Sequence, residues 1–199
     1  GGRLYDKWYG EIDVEAPKDR HALYPSTAGY ASNPAATWRC KECHGWDYKG
    51  KDGAYSSGKH ATGISGIFGK STGTSAILES HSFAELIDER SLDDLALFLQ
   101  YGVFDMDTVI NPNSAKVRNG NADRGRGLYR TICAGCHGQG GIAEDMPVLG
   151  DVGRKNPWES LHKITNGHPG SNMPALIGLD RQTALDILDF VQTLPKARN

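Results

Sequence analysis

All four cysteines of the chain lie in two short motifs of the same layout, Cys40-Lys-Glu-Cys43-His44 and Cys133-Ala-Gly-Cys136-His137. Two thiols separated by two residues share one helical turn, and a histidine directly after them can bind the metal ion of a group attached to both thiols. This pattern is typical of c-type haem attachment, in which both thiols form thioethers with the haem vinyl groups. We therefore predict two covalently attached haem c groups, with the cysteines as attachment residues and His44 and His137 as the proximal iron ligands.

Two other chemistries use paired cysteines. A tetrahedral zinc site could combine both pairs, but the motifs begin 93 residues apart, far more than the usual spacing in zinc ribbons and fingers. A thioredoxin-like redox site needs only one pair and no histidine directly after it. Haem is the better interpretation, and zinc remains as the alternative.

Composition limits the architecture. The chain has 199 residues, 38% of them hydrophobic, and 25 glycines, which suits one large or two small loop-rich domains with cores partly filled by a cofactor. Residues 1–110 carry 11 basic and 16 acidic side chains, and residues 111–199 carry 11 and 8, so the formal charges are −5 and +3. Opposite charges fit docking of different partners, although ordinary solvated surfaces explain them equally well.

No apolar run approaches the length of a membrane span, so we expect the chain as given to be soluble. It begins with Gly1 instead of Met and shows no signal peptide. We therefore expect a mature or trimmed product, and leave open an export signal or membrane anchor upstream.

The two motifs open stretches of similar layout, which indicates an internal repeat. Each motif is followed by a Gly-rich loop and later by an apolar segment of helical spacing, residues 91–102 and 185–194, where we predict helices. Ser91 and Asp94 resemble a capping box at the start of the first. We also predict a helix leading into Cys133 and a short helix from Trp158.

The predicted division follows from this repeat. We expect an N-terminal arm over residues 1–36, a first domain over 37–110, a linker over 111–121 and a second domain over 122–199. The linker is polar and rich in turn residues. Since the arm lacks clear periodicity, we expect it to wrap the first domain as an extended segment.

Residues 120–199 resemble a class I, mitochondrial-type cytochrome c domain. The matching residues are Gly125-Arg-Gly-Leu-Tyr129, Pro147-Val-Leu-Gly150, Asn166-Gly167 and Met173-Pro174. The whole chain resembles bacterial dihaem cytochromes with a Trp-Arg-Cys-Lys-Glu-Cys-His-Gly-Trp-Asp-Tyr first motif, here Trp38 to Tyr48. The resemblance implies an all-α fold of two tandem class I cytochrome c-like domains, with Gly-rich loops around covalent haems.

The resemblance also implies the distal ligand of the second iron. In that family a methionine of a Met-Pro loop binds there, which corresponds to Met173, and His168 is the alternative in the same loop. The carbonyl of Pro147 is implied as the acceptor for the ring N–H of His137, a bond that would orient the imidazole.

The distal ligand of the first iron is less direct, because no methionine lies between His44 and the end of the last helix of its repeat. Aligning Phe98 with Phe190 places His81 and Met173 each 17 residues before the aligned phenylalanine. We therefore predict His81, with His60, Met106 or an open site as alternatives. A bis-histidine haem should have a lower potential than a His/Met haem, because the thioether raises it.

Two six-coordinate haems predict an electron carrier instead of an enzyme, with a protein donor, a protein acceptor and no nucleic-acid partner. The resemblance implies the bacterial periplasm. The alternatives are an electron-transfer subunit of a larger oxidoreductase and a haem enzyme with one labile ligand, similar to dihaem peroxidases or thiosulfate dehydrogenases. The thiosulfate-oxidising group uses a cysteine as a distal ligand, and this chain has no cysteine outside the two motifs.

Overall fold

The structure is a computed structural model that describes residues 1–70, 73–83 and 85–198. The described residues form ten α-helices and two isolated antiparallel bridges, Gly50 with Ser65 and Ile110 with Val117. The helices are α1 (Gly2–Glu11), α2 (Pro34–Thr37), α3 (Cys40–His44), α4 (Thr74–Ser80), α5 (Glu89–Leu97), α6 (Ala122–Ile132), α7 (Ala134–His137), α8 (Leu149–Lys155), α9 (Pro157–Asn166) and α10 (Arg181–Val191). Contacts divide the chain into unit 1, Gly1–Asp105 with His168–Met173, and unit 2, Met106–Gly167 with Pro174–Asn199.

Helix α1 replaces part of the extended arm that we expected over residues 1–36. Leu4, Tyr5 and Trp8 are at most 3% exposed, and their spacing of one and four residues places them on one helical face. This apolar face is only ten residues long and the helix departs from regular geometry at Lys7, so it is easily missed in the sequence. Burial of three large side chains stabilises a helix that would be marginal on its own.

Short helices in unit 1 begin at polar caps. The side chain of Asn33 accepts a hydrogen bond from the Ala36 N–H and Pro34 opens α2, as its fixed φ favours. Asp88, and not the predicted Ser91, caps α5, because its carboxylate accepts from the Ser91 N–H at 3.0 Å. A single π-helical turn, Phe98–Gly102, continues α5.

Unit 2 contains the helices predicted before Cys133, near Trp158 and toward the C-terminus, each with a polar N-cap. Asn121, Asn156 and Asp180 accept from the N–H groups of the third residue after them. Seven of the eleven residues of α10 are buried, and this helix packs mainly against α6. Helix α8 lies where we expected only a loop.

The same helix crossing occurs once in each unit. A Cβ atom on Gly125 of α6 would overlap the backbone oxygen of Asp186 in α10, and a Cβ atom on Gly1 would overlap the backbone oxygen of Asp94 in α5. Four residues after each glycine stands a fully buried tyrosine, Tyr5 or Tyr129. Their ring centroids lie 5.6 Å from Phe98 and 5.3 Å from Phe190, respectively. The two phenylalanines therefore occupy equivalent positions.

Candidate haem-binding sites

The two cysteine motifs adopt the same local structure. Helix α3 carries Cys40, Cys43 and His44 and ends at Gly45, whose φ is +76°. Helix α7 ends with His137 at Gly138, whose φ is +75°, with Cys133 as its N-cap. Only glycine adopts this left-handed conformation without strain, and it turns the chain sharply after each histidine.

A tyrosine from a helix earlier in the chain, α1 or α6, holds each of these turns. The hydroxyl of Tyr5 donates to the carbonyl of Gly45 at 2.6 Å, and that of Tyr129 donates to the carbonyl of Gly138 at 2.7 Å. Burial raises the pKa of Tyr129 to about 12 and also raises the pKa of Tyr5, so both hydroxyls keep their protons and act as donors. Helix α1 is thereby tied to the turn after His44, and helix α6 to the turn after His137.

Burial affects the thiols of Cys40, Cys43 and Cys133. All four are free, and burial raises the pKa of Cys40 and of Cys43 to about 12 and that of Cys133 to about 11. A redox-active Cys-x-x-Cys pair instead needs a lowered thiol pKa, because the thiolate is the reactive form. The raised pKa values of Cys40, Cys43 and Cys133 therefore argue against dithiol redox chemistry.

The zinc alternative gains no support from the fold. The described residues contain no group of three or more His, Cys, Asp or Glu side chains placed to hold a metal ion.

A cavity of about 400 Å³ lies against the first motif. Its wall includes Cys40, Cys43 and His44 on one helix and His81 beyond α4, and its volume is in the range typical of cofactor pockets. The ring centroids of His44 and His81 are 5.9 Å apart. Two imidazoles bound to one ion through metal–nitrogen bonds of about 2.0 Å have centroids roughly 6 Å apart. The residues present therefore fit a haem whose iron binds both histidines.

The hydrogen bond that the ring of His44 makes through Nδ1 leaves its Nε2 available to bind iron. Its Nδ1 lies 2.7 Å from the carbonyl of Ser65, and since a carbonyl only accepts, Nδ1 carries the proton and Nε2 keeps its lone pair. This is the orienting bond that metal-binding histidines usually make. Burial lowers the pKa of His44 to about 4, which keeps the ring neutral as a ligand must be.

His81 has the same arrangement through a side chain. The hydroxyl of Ser80 donates to the carbonyl of Ala76 at 2.6 Å, so it accepts from Nδ1 of His81, also at 2.6 Å. Nε2 of His81 then keeps its lone pair. Burial lowers the pKa of His81 as well.

His60, an alternative distal ligand, is engaged elsewhere. Its Nδ1 lies 2.7 Å from the buried carboxylate of Glu42, and its Nε2 lies 3.5 Å from the hydroxyl of Tyr30. His60 is also not on the cavity wall, and neither is Met106, which begins a 3₁₀ turn in unit 2. The placement of these two residues favours His81.

The second motif lacks one predicted contact. Nδ1 of His137 is buried without a hydrogen-bond partner among the described residues, so the expected bond to the Pro147 carbonyl is absent. The loop is held differently, since the guanidinium of Arg198 donates to the carbonyls of Ala143, Glu144 and Met146. Burial lowers the pKa of His137, and the ring is neutral like that of His44.

Met173 belongs by its contacts to unit 1, in the segment His168–Met173. Its carbonyl accepts from the guanidinium of Arg3 at 3.0 Å, and its N–H donates to the hydroxyl of Ser171 at 3.3 Å. Nδ1 of His168 lies 2.9 Å from the carbonyl of the adjacent Pro169. Ligation of the second iron by Met173, or by His168, stays a prediction.

Two residues that line the first cavity, Tyr5 and His21, were missed in the sequence. Tyr5 could have been found, because Gly1 and Tyr5 repeat the spacing of Gly125 and Tyr129. His21, which also lines the cavity, has no such repeat counterpart and could not.

One family model matches the second half of the chain. Residues 120–191 match the family model described as "Cytochrome C oxidase, cbb3-type, subunit III". A solved structure of cytochrome CL from the marine methylotrophic bacterium Methylophaga aminisulfidivorans is 22% identical over 49% of this chain, with a TM-score of 0.31. The match covers 64% of that protein, less than two thirds of its length.

No curated protein matches the chain. None of the helices in the described part combines the length and apolar composition needed to cross a bilayer. Residues 120–191, which include the second Cys-x-x-Cys-His motif, are therefore similar to a cytochrome c-type domain, and this similarity supports haem electron transfer in general terms.

Proposed function

We propose that the chain is a dihaem electron carrier, with one haem c attached to each Cys-x-x-Cys-His motif. The first iron binds His44 and His81, and the second binds His137 and Met173. The observation that carries the proposal is the placement of His44 and His81, with centroids 5.9 Å apart, on a cavity that Cys40 and Cys43 also line. Bound haem supplies the one-electron chemistry of its iron, and the protein fixes its ligands and excludes water.

The repeated geometry supports a haem in both units. Each motif has the same left-handed glycine after its histidine and the same tyrosine bond to that glycine. The two units differ in the exposure of the motif. Lys41 and Glu42, between the first pair of cysteines, are 8% and 2% exposed, whereas Gly135 and Cys136 of the second motif are exposed.

Two six-coordinate irons favour a carrier over an enzyme, because a haem enzyme of this kind needs an open coordination position that the substrate can reach. An electron-transfer subunit of a larger oxidoreductase uses the same chemistry and stays within the proposal. We place the protein in the bacterial periplasm, where the attachment motif of this family is used, and propose protein donors and acceptors.

The number of haems is tested by removing one motif at a time. The holoprotein should carry two covalent haems per chain, measured by pyridine haemochrome absorbance against protein mass. A Cys40→Ala/Cys43→Ala variant and a Cys133→Ala/Cys136→Ala variant should each retain one. A wild-type protein with a single haem would exclude the dihaem assignment.

The ligands of the first iron are tested by His81→Ala, with His60→Ala as the matched control from the same unit. His81→Ala should convert one haem to high spin and let the ferrous protein bind carbon monoxide, while the Met–iron charge-transfer band of the other haem persists. His60→Ala should leave both haems low spin. Unchanged spectra in His81→Ala, or a high-spin haem in His60→Ala, would reject the assignment.

A further inference from the structure

One side of helix α5 carries exposed apolar side chains. Leu97, the last residue of α5, is 53% exposed, and Tyr101, in the π-helical turn that continues the helix, is 75% exposed. The two residues are four positions apart, so they project from the same side of this segment. Neighbouring exposed apolar side chains of this kind mark surfaces that bind other proteins, and tyrosine is enriched in such interfaces.

The same side of α5 carries acidic side chains. Asp93 and Asp94 are exposed and precede Leu97 by four and three residues, which places them on the neighbouring turn. Oγ1 of Thr74 donates to the carboxylate of Asp93 at 2.8 Å and connects the start of α4 to this turn. Asp93, Asp94, Leu97 and Tyr101 are together called the outer face of α5.

The surface around the outer face is strongly negative. Residues 74–104 carry six acidic side chains and one basic side chain, Arg90, so their formal charge is −5. All six acidic residues are exposed, and their field therefore extends into the solvent. Such a surface repels acidic proteins, anionic lipids and nucleic acids, and it attracts a protein that presents basic side chains.

The opposite side of the same segment borders the first cavity. Leu95 and Leu99 line this cavity together with Cys40 and Cys43, and Leu95 is only 2% exposed. The outer face of α5 is therefore separated from the cavity by one helix, whose diameter with side chains is about 10–12 Å. A protein bound to the outer face would lie close to a haem attached to the first motif.

The π-helical turn holds Tyr101 on a firmly packed backbone. Phe98, the first residue of this turn, is 6% exposed, and its ring centroid lies 5.6 Å from that of Tyr5 and 6.0 Å from that of Tyr48. The N–H of Val103 donates to the carbonyl of Phe98 at 3.1 Å and closes the turn. Such turns are rare and are frequently found at functional sites.

We propose that the outer face of α5 is the docking surface for a redox partner protein with a basic face, and that this partner exchanges electrons with the first haem. The inference rests on the proposed attachment of a haem to the first motif. Leu97 and Tyr101 form the apolar centre of the interface, and the surrounding carboxylates attract and orient the partner.

The test uses the holoprotein and a strongly basic single-haem cytochrome c as the probe. The same cytochrome with succinylated lysines is the matched probe, because succinylation replaces each positive charge by a negative one. NMR shifts of the backbone amides locate the bound probe on the isotope-labelled protein. Stopped-flow absorbance at low and high ionic strength gives the rate constant of electron transfer to the probe.

Two variants change the outer face and one serves as the control. Tyr101→Ser removes an apolar side chain, and Asp93→Asn/Asp94→Asn removes two charges without changing the size of the side chains. The control is Glu15→Gln/Asp52→Asn, which removes two exposed charges of unit 1 outside residues 74–104. All variants should retain the haem content and spectra of wild type.

The basic cytochrome should shift the amides of residues 93–101 and accept electrons at a rate that falls about tenfold or more between low and high ionic strength. Asp93→Asn/Asp94→Asn should lower the rate at low ionic strength about threefold or more. Tyr101→Ser should weaken binding at high ionic strength as well, because salt does not screen an apolar contact. The control should match wild type, and the succinylated cytochrome should leave these amides unshifted.

Three results would overturn the inference alone in a protein that carries both haems. One is a set of amide shifts confined to residues outside 74–104, and another is an Asp93→Asn/Asp94→Asn protein that transfers electrons as fast as the control. The third is a wild-type dimer in sedimentation that Tyr101→Ser dissociates, because the outer face would then bind a second copy of this chain. A chain without a haem at the first motif would refute the proposed function, and the inference would fail with it.

Discussion

Tyr5 donates its hydroxyl hydrogen to the carbonyl of Gly45 at 2.6 Å, across forty residues of sequence. Tyr129 makes the equivalent bond to Gly138 in the second unit. Both bonds are made by a tyrosine that also contacts the phenylalanine of the last helix in its unit. One side chain thus connects the first helix, the haem motif and the last helix of each repeat.

Removing these hydroxyls should destabilise the protein. Tyr5→Phe and Tyr129→Phe each delete one largely buried hydrogen bond, so the free energy of unfolding should fall by about 0.5–1.5 kcal/mol for each. Guanidinium denaturation followed by far-UV circular dichroism measures this. Tyr101→Phe is the control, since Tyr101 is 75% exposed, and an equal loss there would contradict a specific role for the two bonds.

Two glycines of α6 should respond oppositely to alanine. A Cβ on Gly125 would overlap the backbone of Asp186, so Gly125→Ala should force α6 and α10 apart and cost about 1–3 kcal/mol of unfolding free energy. Gly127 has open space around it, so Gly127→Ala should gain about 0.5–1 kcal/mol from helix propensity. Thermal and chemical denaturation of both variants check this, and a neutral Gly125→Ala would contradict the close crossing.

Removing both charges of the buried Lys41–Glu42 pair should destabilise the protein less than removing the Glu42 charge alone. The carboxylate of Glu42 is 1% exposed and pairs with Lys41 and with His60. Glu42→Gln removes the negative charge that faces Lys41 and His60. This should lower the free energy of unfolding by about 3–5 kcal/mol. A Lys41→Met/Glu42→Leu variant, which removes both charges, should be more stable than Glu42→Gln. A double variant that is less stable would contradict this account.

The N-cap of α10 should make stability depend on acidic pH. Hydrogen bonds from the side chain and backbone of Thr183 lower the pKa of Asp180. Because the folded pKa lies below the unfolded value of about 3.9, this contribution is present above that pH and is lost as pH falls through the folded pKa. The stability difference between wild type and Asp180→Ala should therefore shrink as the pH is lowered below about 4.

The matched control for that experiment is Asp180→Asn. Asparagine caps helices as well as aspartate but does not ionise, so this variant should retain most of the cap without its pH dependence. A wild-type protein whose stability relative to Asp180→Ala is constant from pH 7 to pH 3 would show that the ionised cap contributes nothing.

The sequence alone was enough to predict the chemistry of both motifs, because thioether attachment needs two cysteines and a histidine on one helical turn, and that spacing is local. It also predicted the helices near Trp158 and Leu185, because their apolar periodicity extends over enough residues to identify a helix. The alignment of Phe98 with Phe190 led to His81 in the same way, through a repeat visible in the residues.

The tertiary structure decided what depends on residues far apart in the chain. Helix α1 forms because unit 1 buries Tyr5 and Trp8, and ten residues with a glycine near each end show too little periodicity to reveal it. The contact between the Glu42 carboxylate and Nδ1 of His60 could not be predicted either, because the two residues are 18 positions apart. His21 approaches His81 across sixty residues, and no local pattern records such a contact, because a buried histidine is placed by packing and not by the residues beside it.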